Sequence, residues 1–194
     1  MDAHPAFGVA LRCVWCAVIV YWAISARGVK TAARAEPPMR RLVLYVLPFV
    51  IALLLLGPGR WFGHSLLREQ FISHSVVVES VGLSLCALGA AVACGARFTL
   101  GRNWSGAVQL KQDHELIERG LYRYVRHPIY TGFLLLFLGN AIMVGDWRGL
   151  LAVAIILVSF WRKLKLEELW LTQHFGARYT EYAGRTSALI PGVL

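Results

Sequence analysis

Residues Arg119–Gly132 read RGLYRYVRHPIYTG, a polar, basic and aromatic stretch set between two strongly apolar segments. Its cations and hydroxyls meet a hydrophobic run that begins at Ile129. A chain that only had to enter a membrane would not need a His127-Pro128 step flanked by tyrosines. Pro128 restricts His127 to extended backbone and suits the first turn of a helix. The stretch therefore reads as the mouth of a membrane helix, with reactive side chains gathered at its entry.

The rest of the chain supports a membrane setting. Of the 194 residues, 57% are apolar, and the mean hydropathy of +0.56 exceeds that of ordinary soluble domains. The apolar residues fall in runs near the bilayer-crossing length of about 20 residues. Expected spans cover about 8–26, 42–56, 76–96, 128–144 and 150–161. Pro48 predicts a kink in the second. Gly82, Ser84, Gly89, Ala90 and Ala91 in the third predict close helix approach. The fifth run is short, and is expected to continue as an amphipathic helix through Leu171, out of the bilayer. The fold class is thus all-α: a polytopic bundle of about five transmembrane helices. Its cofactor pocket is expected at the cytoplasmic side, between the loop before helix four and the C-terminal helix.

The net charge of +9 follows topology. Arg27, Lys30, Arg34, Arg40 and Arg41 follow the first span, and Arg97, Arg102, Lys111, Arg119, Arg123 and Arg126 follow the third. The alternation places the N-terminus outside and the C-terminus in the cytoplasm, with a bacterial inner membrane as the expected home. No basic recognition element of a known type occurs, so no nucleic-acid partner is expected. Cys13 and Cys16 have the spacing of a zinc or redox pair, but they sit in an apolar run. They are read, with Cys86 and Cys94, as buried small hydrophobes. His4, His64 and His74 lack metal-ligand spacing and are read as solvated; no metal is expected. Glu79 is read as solvated at the outer interface. The segment Met1–Phe7 lacks the basic start of a cleavable signal, so the first span is expected to be retained.

Two constellations carry chemistry. The first turn after Pro128 offers backbone N–H groups and a helix dipole, an anion site. Tyr122, Tyr124 and Tyr130 add ring faces and hydroxyls. An interfacial aromatic belt with snorkelling arginines remains the plainer account of Tyr124 and Arg123. The second is Arg162-Lys163-Leu164-Lys165-Leu166-Glu167-Glu168. On a helix, Lys163, Glu167, Trp170 or Leu171, and His174 share a face; a solvated helix end is the competing reading. An anion site, aromatic faces and a carboxylate on one membrane side suit a zwitterionic ligand with an adenine-like base.

Several motifs in 97–182 resemble the isoprenylcysteine carboxyl methyltransferase family and its bacterial relatives, over nearly half the chain. They are Asn103-Trp104-Ser105, His114-Glu115-Leu116-Ile117, Gly120-x-Tyr122, Arg126-His127-Pro128-x-Tyr130-x-Gly132, Glu167-Glu168 and Phe175-Gly176-x-x-Tyr179-x-x-Tyr182. The first three spans match in hydropathy alone. The resemblance implies S-adenosyl-L-methionine as methyl donor. It places the donor contacts on Gln109, His114, Glu115, Leu116, Ile117, Tyr122, His127, Pro128, Ile129, Tyr130 and Glu167. It implies one membrane domain, with 1–96 as N-terminal helices and 97–194 as the donor-binding half.

The family uses an arginine four positions before the first glutamate, near the substrate carboxylate. Here that position is Lys163, beside Arg162. A lysine is a point charge and cannot clamp a carboxylate bidentately. Arg162 and Lys163 are therefore the candidate catalytic contacts to the acceptor. The implied reaction is methyl transfer to a lipophilic or lipidated carboxylate, delivered from the bilayer. Phospholipid N-methylation and thiol S-methylation stay open, with His127 or Glu168 as base, as does a non-catalytic membrane scaffold or sensor.

Overall fold

Backbone groups in hydrocarbon must satisfy one another, and helices do so within a single segment. The computed structural model describes residues 5–27, 32–104, 109–111 and 115–192, with the backbone alone at 32–35 and 109–111. Helix α1 is Pro5–Ser25. Strand β1, Ala32–Ala35, leads to the short helix α2, Pro38–Arg41, a π-helical turn at Leu42–Val46 and helix α3, Leu47–Leu55. Helix α4 is Val76–Leu100. Strand β2, Gln109–Lys111, pairs antiparallel with β1. Helices α5, Pro128–Val144, α6, Trp147–Phe175, and α7, Ala177–Arg185, complete the chain.

The expected spans are all helical. Pro5–Ser25, Pro38–Leu55 and Val76–Asn103 are long and apolar enough to cross a membrane, and Pro128–Val144 is a shorter apolar helix. The chain is an integral membrane protein. The fifth run continues without a break to Phe175, so the expected helical continuation through Leu171 is present. The β1–β2 ribbon was not foreseen; short strands without alternation carry no sequence signal.

Pro48 acts through a missing donor. It has no N–H for the carbonyl four residues earlier, that of Leu44. Ser159 Oγ on α6 donates to Leu44 O at 2.8 Å instead. The backbone widens to the π turn just before the proline.

The bundle is built around α4 and α5, which run antiparallel. A Cβ on Gly89 would come within 2.5 Å of Gly132 O, and one on Gly132 within 2.5 Å of Ala93 N. Gly82 and Gly139 make the same approach two turns away. The expected small-residue contact in the third span is therefore real, and α5 answers it with its own glycines. The close pair fixes the start of α5, where the polar stretch enters.

Three sequence readings are corrected here. Cys13 and Cys16 are exposed on the outer face of α1, while Cys86 is buried; α1 covers the bundle with one face only. Glu79 is 1% exposed. The segment before α4 pairs with the α5–α6 turn (Phe71 N donates to Gly145 O at 3.0 Å and Trp147 N to Glu69 O at 3.2 Å) and covers it. His74 is half-buried rather than solvated, with Nδ1 3.7 Å from Glu79 Oε1.

Candidate functional site

The stretch before α5 folds as a 3-10 turn, Gly120–Arg123, entered by Gly120 at φ 61°. A positive φ suits glycine. The turn sends Tyr122 inward. The C-terminal segment then straps the entry of α5. Arg126 N donates to Ser187 O at 2.8 Å and His127 N to Ala188 O at 3.0 Å. Thr131 Oγ1 donates to Leu189 O at 2.7 Å, and Tyr182 Oη to Tyr122 O at 2.7 Å.

Against this entry stands α6. Neighbouring helical residues point about 100° apart, so Glu167 and Glu168 take different roles. Glu168 Oε1 accepts from Arg126 Nε at 2.7 Å and lies 3.2 Å from His127 Nε2. Burial alone would raise the Glu168 pKa. The hydrogen bonds from His127 and Arg126 outweigh burial and hold it at about 2. Arg126 also donates to the carbonyls of Ala183 and Thr186. Glu168 is thus a lock between α6, α5 and the strap.

Glu167 faces a cavity of about 390 Å³, within the usual range for small-molecule sites of about 300–1,000 Å³. Its Oε2 accepts from Tyr130 Oη at 2.7 Å. The Tyr130 ring stacks with His127, with centroids 5.3 Å apart, and with Phe160, at 4.9 Å. One helical turn earlier, the Lys163 ammonium sits over the Tyr130 ring at 5.4 Å and the Tyr45 ring at 5.6 Å. Burial lowers the Lys163 pKa, and the charge of Glu167 acts against that. Burial raises the phenols of Tyr122 and Tyr179, and that of Tyr182 to about 12. All three are hydrogen-bond donors at neutral pH, not bases.

The cavity gathers most of the residues singled out in the sequence. Glu115, Leu116, Ile117, Tyr122, His127, Ile129, Tyr130, Lys163 and Glu167 line it. Pro128 and Arg162 do not. Pro128 is fully buried in the bundle. Arg162 points the other way, into an outer groove with Val43, Leu44 and Val158. One residue of helix phase separates it from Lys163. His114 lies outside the described residues, and Gln109 is described by its backbone alone, in β2.

The sequence reading missed a whole wall. Trp22 of α1, with Arg41, Tyr45 and Phe49 of the second span, closes the cavity. The site therefore draws on the N-terminal half as well. Only tyrosines and tryptophans near the ends of apolar runs hinted at this wall. Asn103, Trp104, Tyr179 and Tyr182, present in the motifs but given no role, also line the cavity. Arg97 sets Trp104 in place, its guanidinium 4.4 Å from the ring and donating to Gly101 O and Ser25 O. Two buried polar atoms of the lining, Asn103 Oδ1 and Tyr179 Oη, have no hydrogen-bond partner among the described residues. A buried orphan of this kind is costly unless a ligand completes it.

A family model described as phospholipid methyltransferase matches residues 77–178, just over half of the chain. The chain belongs to this family. Its relatives include isoprenylcysteine methyltransferases. Protein-S-isoprenylcysteine O-methyltransferase B of Arabidopsis thaliana is 31% identical over 119 residues, 60% of this chain and 60% of that protein. The Schizosaccharomyces pombe protein-S-isoprenylcysteine O-methyltransferase is 30% identical over 157 residues, 76% of this chain and 66% of that protein. A solved structure of the eukaryotic intramembrane Ras methyltransferase, an isoprenylcysteine carboxyl methyltransferase, aligns with a TM-score of 0.51 at 23% identity. It covers 81% of this chain and 54% of that one. The helical membrane fold is shared. The chain spans about 60% of the length of the plant relatives it matches. Membership in a methyltransferase family implies a methyl donor.

Proposed function

We propose that the cavity binds S-adenosyl-L-methionine and that the protein transfers its methyl group to the carboxylate of a lipophilic acceptor. The observation that carries this is the placement of Glu167 and Lys163, one helical turn apart, on the wall of a single aromatic cavity. A carboxylate, a cation and ring faces suit a zwitterion that carries a purine. The residues present fit that group. Glu167 can accept from a cationic amino group. Asn103 Oδ1 and Tyr179 Oη can complete polar edges of the base and ribose. Trp104, Tyr122 and Trp170 offer ring faces. Glu115, Leu116, Ile117, His127 and Ile129 contribute the remaining contacts.

The donor supplies an electrophilic methyl on a sulfonium. The protein supplies position. An acceptor carboxylate, with an ordinary pKa of roughly 4, is already ionised at neutral pH, so no general base is required. Lys163 attracts it, and the tyrosine faces hold the ammonium in a dry setting. Fixing two reactants in line can contribute about 7–11 kcal/mol to catalysis.

The carboxylate reading is favoured over amine or thiol methylation because the two candidate bases are engaged elsewhere. Glu168 lies outside the cavity lining and is held at about 2. His127 Nε2 lies against it. We further infer five crossings, with the N-terminus outside, the C-terminus cytoplasmic and the cavity on the cytoplasmic side of a bacterial inner membrane. A C-terminal reporter fusion active only outside the cytoplasm would overturn that orientation.

Purified protein, incubated with labelled donor and a prenylated cysteine, an aminophospholipid or a long-chain thiol, tests the reaction. The expected product is a base-labile methyl ester of the prenylated cysteine. Label on phospholipid nitrogen or thiol sulfur alone would contradict it.

A further inference from the structure

Lys163 carries its charge on a flexible stem, which its surroundings must hold in place. Two tyrosine rings contact the ammonium, Tyr130 at 5.4 Å and Tyr45 at 5.6 Å. Each ring is anchored through its hydroxyl to a glutamate. Tyr130 Oη donates to Glu167 Oε2 at 2.7 Å, and Tyr45 Oη donates to Glu36 Oε1 at 3.2 Å. Glu167 faces the cavity. Glu36 does not: it lies between β1 and α2, in the half of the chain that no motif covers.

Glu36 is 5% exposed. Its Oε1 also meets Arg40 Nε at 3.1 Å, and its Oε2 has no hydrogen-bond partner among the described residues. Its negative charge also favours the protonated form of Lys163, opposing burial and the nearby Arg41.

We propose that Glu36 is a positioning residue that acts through Tyr45 to fix the Lys163 ammonium where the acceptor carboxylate is received. This rests on the carboxyl-methylation reading above. Glu36 does not line the cavity; its effect is confined to acceptor recognition.

The test is a double-mutant cycle of Tyr45→Phe and Glu36→Ala in the full-length protein. It is read as the KM for a prenylated cysteine and as the affinity for S-adenosylhomocysteine. Tyr45→Phe keeps the ring and its packing, so the cycle stays informative if Glu36→Ala folds poorly. Losing a hydrogen bond to a charged group is expected to raise acceptor KM about tenfold in either single variant. The double variant should be no worse than the worse single, and in all three the change in acceptor KM should exceed the change in product affinity. An unchanged acceptor KM in Tyr45→Phe, multiplicative effects, or a parallel loss of product affinity would each overturn the inference. Wild-type protein that esterifies no acceptor would remove the parent reading as well. Wild-type activity with an unshifted Tyr45→Phe would remove this inference alone.

Discussion

Both ends of the bundle bury arginine and carboxylate together, and only one of them does so around a cavity. At the end remote from the cavity, Arg148 donates to Asp146 at 2.9 Å and to Leu55 O at 2.8 Å. It also donates to Gly57 O, with its guanidinium 5.3 Å from the Phe62 ring. It ties the end of α3 to the α5–α6 turn. At the other end Arg126 does the same work with Glu168, Ala183 and Thr186. The next polar residues along each element, His127 on one and Lys163 and Glu167 on the other, line open space. A buried charge is therefore poor evidence for a site. Polar side chains that face open space are better evidence, and His127, Lys163 and Glu167 do so in one aromatic cavity.

The contrast can be broken first at the remote end. Arg148→Ala leaves Asp146 buried without its cation, which should cost about 3–5 kcal/mol, measured by chemical denaturation in detergent. The fraction that stays folded should bind donor product with wild-type affinity. A loss of affinity in folded protein would mean that the two ends are coupled and the division is wrong.

A smaller effect separates neighbours on α6. Lys163→Ala should raise the acceptor KM at least about tenfold, the cost of an unpaired charged contact. Arg162→Ala, in the outer groove, should stay within about twofold, as surface substitutions do. The reverse ranking would move the acceptor site to that groove.

The smallest effect concerns the lock itself. Glu168 titrates at about 2 against an ordinary 4.5, so its folded-state pKa is depressed. Its contribution to stability is full above about 4.5 and is lost as pH falls through 2. Thermal stability of the wild type should decline across that window more steeply than that of Glu168→Gln. Equal slopes would show that the carboxylate is not locked.

Much of this was legible in the sequence, for identifiable reasons. Helix positions follow from the length of apolar runs, and the α4–α5 contact was half visible in Gly82 and Gly89. The motif residues converge because the short α5–α6 connection folds the two helices back on each other, which returns Glu167, well inside α6, to His127 and Tyr130 at the start of α5. Helix phase was not legible: Arg162 and Lys163 differ by one position, and only the packing of α6 against α3 and α5 decides which faces the cavity. Nor was the N-terminal wall. Trp22 meets Phe133 and Tyr45 meets Lys163, partners far away in sequence; Glu36 joins them only through Tyr45, and no local pattern marks these residues. Glu79 was misread for the same reason, since the segment that covers it pairs with the distant α5–α6 turn.

The central claim is that Glu167 and its aromatic surroundings form a donor site. Calorimetric titration of monodisperse protein with S-adenosylhomocysteine tests it directly. Wild-type protein should show one site per chain, weakened at least about tenfold in Glu167→Ala through loss of a charge-assisted contact, with thermal stability of the variant retained. Folded wild-type protein that binds no S-adenosylhomocysteine, or a Glu167→Ala variant that binds it equally well, would contradict the account.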